Sequence, residues 1–107
     1  MVFANGDTGI TLATADTVTG FAAADFFDFA QVAGSATNYD ESGTAADFDA
    51  ALIAANITLN STVLYAVVDI GADLAVFVDT NGDGTADQAI VLTGIADATT
   101  IGFGNFI

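Results

Sequence analysis

The chain has 107 residues, the length of one domain, and its 53% apolar content sets it apart from chains too polar to collapse. It holds 14 Asp and Glu but no Lys, Arg or His, so nothing can neutralise phosphates, and nucleic acid and anionic membrane surfaces are excluded as partners. It has no Cys and no Pro, which leaves neither disulfides nor a thiolate metal site to hold it.

The first third is rich in Thr, Gly, Asp and Phe. Residues 10–12 and 17–21 read as two short strands joined by a tight turn over 13–16. Phe27 and Phe29 then alternate with Asp28, as on a half-buried strand. Residues 38–43 are polar and read as a loop. One helix is expected over about residues 45–59, because Phe48, Leu52, Ala55 and Leu59 fall on one helical face. Thr44 has the place of an N-cap, with Asp47 at the third position of a capping box.

Residues 62–69, 73–78 and 88–93 read as three strands, with a turn at Ile70, Gly71 and Ala72. All three are apolar at odd and even positions alike, the mark of strands covered on both faces. Residues 100–107 suggest a short C-terminal strand. The expected fold is mainly β: a β-sandwich or β-roll-like domain with one short α-helix. It would be one domain over 1–107, with a β-roll-like part at 1–43 and a helix plus sheet at 44–107.

No secretory signal peptide is visible, since residues 1–7 have neither a basic nor an apolar region of the required kind. The long uncharged stretch at 50–68 is broken by Asn56, Thr58, Asn60, Ser61 and Thr62 and lacks flanking cations, so no membrane insertion is expected.

Chemistry concentrates at residues 79–87, DTNGDGTAD. A hard cation such as calcium takes six to eight oxygen ligands. Asp79, Asn81 and Asp83 alternate, so a tightly wound loop can turn them to one centre, and Gly84 permits the sharp turn. Thr85 can offer its carbonyl, and Asp87 can bind directly or through water. The spacing follows an EF-hand loop until its twelfth position, where Ile90 stands in place of the closing Glu, and the flanks are strands. An acidic hairpin turn would also use Asn-Gly and Asp-Gly. Three carboxylates in nine residues, in a chain without cations, favour calcium instead. Magnesium fits less well because it retains its water. Asp7 and Asp16 are candidates for a second site, against an ordinary role in turns.

Catalysis finds little support. Nucleophile–base dyads need residues the chain lacks. Asp25 with Asp28 is the nearest carboxylate pair, and its alternation with Phe reads as strand surface, so no enzyme is expected.

Four stretches resemble the C-terminal region of RTX-type, calcium-binding bacterial exoproteins. They are residues 48–56 (FDAALIAAN), 63–69 (VLYAVVD), 73–87 (DLAVFVDTNGDGTAD) and 101–107 (IGFGNFI). Residues 9–21 (GITLATADTVTGF) are similar to the last turn of an RTX β-roll, although the glycine-rich nonapeptide repeats are absent. The resemblance implies type I secretion through an uncleaved C-terminal signal, and folding in calcium outside a bacterial cell. The expected function is therefore a secreted, calcium-binding structural protein at the cell surface or beyond it. It would self-associate through β-strand edges into a fibre, matrix or surface layer. The alternative is the export and folding domain of a larger RTX-type toxin, protease or adhesin.

Overall fold

The computed structural model describes residues 9–29 and 31–107. Among these residues the fold is mainly β, with one α-helix. Five strands form a single mixed sheet: β1 (Asp16–Thr19), β2 (Tyr39–Thr44), β3 (Tyr65–Asp69), β4 (Leu74–Val78) and β5 (Gln88–Thr93), ordered β1-β5-β4-β3-β2. The centre is the antiparallel meander β3-β4-β5, and each outer strand pairs in parallel with its inner neighbour. A parallel pair needs a crossover. Between β2 and β3 that crossover is the helix α1 (Phe48–Thr58).

The central strands are buried at almost every position. They therefore separate two apolar layers, which gives the domain its sandwich-like build. On one face Ala66, Val68, Ala75, Phe77, Ala89 and Val91 receive α1 through Phe48, Ala51 and Ala55, together with its C-cap Leu59. The small alanines on both sides let helix and sheet approach closely, and Phe48 packs on Phe77 with ring centroids 5.2 Å apart. On the other face Tyr65, Val67, Leu74, Val76, Val78, Ile90 and Leu92 meet a layer of Phe21, Phe27, Phe29, Ile101 and Phe106. That second layer is tied by a parallel bridge between Phe27 and Phe106.

Several boundaries differ from the sequence expectation, each for a physical reason. The helix starts later, because Asp47 is its N-cap: the residue is extended, and its Oδ1 accepts from the Ala50 N–H at 2.8 Å. Thr44 is instead the last residue of β2, paired with Asp69. Residues 39–44 form a strand despite their polarity, because β2 lies at the edge of the sheet. Residues 10–12 are not a strand; the backbone turns there, with the Thr14 and Ala15 N–H groups donating to the Thr11 carbonyl. The C-terminal stretch is a 3-10 turn, Phe103–Asn105, followed by the bridge at Phe106, rather than a full strand. Among the described residues no helix is long and apolar enough to cross a membrane.

Candidate metal centre

The loop from β4 to β5 begins where Asp79 continues the buried end of β4. Asp79 is fully buried, a costly place for a carboxylate unless polar groups meet it. The loop supplies them from its own backbone. Asp79 Oδ1 accepts from the N–H groups of Gly82 at 2.8 Å and of Asn81 and Asp83, both at 3.3 Å. Asp79 Oδ2 accepts from the Gly84 N–H at 2.8 Å. Gly82 and Gly84 adopt left-handed backbone, with φ of 73° and 86°. A residue with a Cβ would be strained in that conformation.

The other members follow the winding. Asn81 Oδ1 accepts from the Asp83 N–H at 3.1 Å. Asp83 Oδ1 accepts from the amide and hydroxyl of Thr85, at 3.0 and 2.9 Å. These bonds favour the ionised form and hold the exposed Asp83 carboxyl below its ordinary value. Asp87 Oδ2 accepts from the amide and hydroxyl of Thr80, at 2.9 and 3.1 Å, and the Asp87 N–H donates to the Val78 carbonyl, which closes the loop.

The result is a convergence. One carboxylate oxygen from each of Asp79, Asp83 and Asp87 lies within 4.8 Å of the others, in a group that grades from buried to exposed. Calcium holds its oxygens at 2.3–2.6 Å, so ligands on opposite sides of the ion are roughly 5 Å apart. The three oxygens fit within such a shell. Among the described residues this is the one group of three carboxylates that could hold a metal ion.

Of the five residues that the spacing points to, the structure brings Asp79, Asp83 and Asp87 together, and Gly84 takes the left-handed turn between them. Asn81 and Thr85 lie in the same loop, each bonded to Asp83. Thr85 was expected to contribute its carbonyl, and here its amide and hydroxyl brace Asp83. Of the second candidate pair, Asp7 lies outside the described residues, and Asp16 opens β1 opposite Ile90. Asp25 caps a local turn, its Oδ2 accepting from the Ala22 N–H at 2.8 Å.

Two contributors carry no spacing signal toward the loop. Thr80 steadies Asp87 as described. Asn56 reaches from α1 to the loop, where its Oδ1 accepts from the Ala86 N–H at 2.8 Å. Its one visible sign in the sequence is a lone amide in an otherwise apolar stretch of helix.

No known family model matches the chain, and no curated protein or solved structure matches it.

Proposed function

We propose that the protein is a secreted structural module that binds calcium in the loop 79–87 and self-associates outside the cell. The observation that carries this reading is the convergence of Asp79, Asp83 and Asp87 in a chain that has no cationic side chain. The loop's own N–H and hydroxyl groups offset part of this charge, and with no cationic side chain in the chain the rest falls to a cation from solution. The resemblance of the segments quoted above to RTX-type exoproteins supports calcium and export from a bacterial cell.

Self-association has a route in the sheet. β1 is parallel to β5 and β2 to β3, while β4 opposes both inner strands. The two edge strands therefore run in the same direction. Translation of one copy sets its β2 beside the β1 of the next, and such a head-to-tail contact propagates rather than closes. The edges carry Asp16, Asp40 and Glu41. Like charges guard an edge against pairing, so calcium would act both in the loop and by lowering repulsion between copies.

Thermal unfolding of the chain and of Asp83→Ala, in calcium and in EDTA, tests the site. At calcium a hundredfold above its Kd the native chain gains about 2.7 kcal/mol. Asp83→Ala removes that gain in calcium and changes little in EDTA. Equal destabilisation in both media would reject the loop as a calcium site. Electron microscopy in the same two media tests assembly: filaments or sheets are expected in calcium alone, and particles of one size in both media would reject self-association.

A further inference from the structure

The three acids of the loop do not share one support. Asp79 follows the last residue of β4 and is fixed at the buried end of the loop. Asp83 and Asp87 lie in the second half, where Thr85 braces the first and Thr80 the second. Ala86 stands between Thr85 and Asp87, so a shift of its backbone displaces both.

Ala86 is anchored from outside the loop. Its side chain is buried in the layer between helix and sheet. Its N–H donates to Asn56 Oδ1 of α1 at 2.8 Å, a partner 30 residues away in the chain. Gly84 lies against the end of the same helix: a Cβ there would come within 3.6 Å of the Leu59 carbonyl oxygen. The second half of the loop is thus seated on the last turn of α1.

Asn56 serves the helix itself poorly. It follows Ala54 and Ala55, and Asn has a lower helix propensity than Ala. What the carboxamide supplies is an acceptor for the N–H of a buried loop residue, a need that an alanine methyl could not meet. Calcium holds its oxygens within a window of 2.3–2.6 Å, so affinity depends on how well the outer ligands keep their distance from the inner one.

We propose that Asn56 is a positioning residue of the metal centre. By holding the Ala86 N–H it keeps Asp83 and Asp87 in place relative to Asp79, and so sets the affinity for calcium. The inference rests on the calcium reading of the loop and extends the site from the loop to the helix.

The test titrates the full chain and its variants with calcium chloride by calorimetry, and follows their thermal unfolding and circular dichroism in EDTA. Asn56→Ala weakens calcium binding by about tenfold, as loss of a supporting hydrogen bond around a metal does. In EDTA it keeps the native circular dichroism, because the substitution favours the helix. Asn56→Asp retains an acceptor oxygen and binds calcium within about threefold of the parent. Asn56→Ala combined with Ile57→Asp adds the same charge one residue further on, without the acceptor, and stays weak. The assignment is overturned if Asn56→Ala binds like a calcium-binding parent, or if the Ile57→Asp charge restores affinity as well as Asn56→Asp does. It is overturned too if Asn56→Asp binds as weakly as Asn56→Ala, or if Asn56→Ala loses its native dichroism in EDTA, which would make the bond a general support of the fold. A parent chain that takes up no calcium rejects the calcium reading itself, a result distinct from all of these.

Discussion

Two fully buried polar side chains near the same loop have opposite surroundings. Asp79 is met by four backbone N–H groups. Gln88, one residue beyond Asp87, has neither its amide nitrogen nor its oxygen paired within the described residues. It faces the aromatic layer in one row with Val78 and Tyr65. An enclosed amide without a partner costs about 1–3 kcal/mol. Gln88→Leu keeps the volume and removes that cost, so urea denaturation should show a gain of about 1 kcal/mol or more. A loss on substitution would mean that the amide holds something in the native chain. The contrast also marks what was legible at this scale. The acids were readable because alternate residues of a wound loop point to one centre. The burial of Asp79 was not, since it depends on the loop folding back to present its own amides. Thr80 and Asn56 were unreadable because their partners lie across the loop or on another element.

At the level of elements, the helix start is decided by competition for residues. Thr44 has the right chemistry for an N-cap, but its backbone belongs to β2, and the Ala45 N–H donates to the Asp69 carbonyl. Asp47 is the first residue after β2 whose carboxylate can reach forward to a first-turn N–H, that of Ala50, and it also favours the positive end of the helix dipole. Asp47→Ala is expected to lower stability by about 1 kcal/mol, and Thr44→Ala by much less, in paired chemical denaturation curves. Equal losses would restore the earlier start. The same competition explains which strands could be foreseen. β3, β4 and β5 are apolar at both parities because both sheet faces are covered, a pattern few other elements share. β2 is visible only through its neighbour: its side chains are mostly exposed, and Gly43 accompanies a register shift between Glu41 and Thr44. Nothing local in a polar hexapeptide announces that β3 will supply its hydrogen bonds.

Over the whole molecule the two tyrosines couple alkaline ionisation to unfolding. The Tyr39 hydroxyl donates to Glu41 at 3.0 Å, and the Tyr65 hydroxyl donates to the Val32 carbonyl at 2.6 Å. Burial raises both above their ordinary value, with Glu41 adding to the effect at Tyr39. A raised folded value favours the neutral phenol in the native state. The stability it contributes is complete below the unfolded value of 10.0 and is lost as the pH rises above it. Tyrosinate absorbance should therefore appear together with loss of native circular dichroism, above about pH 10. Ionisation while the dichroism stays native would contradict the enclosure of both rings.

The aromatic layer also sets the order in which the molecule can be finished. The Ile107 N–H donates to the Phe27 carbonyl, the Gly34 N–H to Phe106, and the Asn105 amide to the carbonyls of Ala23 and Asp25. Ala23, Asp25, Phe27 and Gly34 are thus stitched to residues 105–107. While a ribosome is still making the chain, the meander and helix can assemble, but Phe27 and Phe29 still lack the ring of Phe106. The layer closes only after residue 107 has emerged.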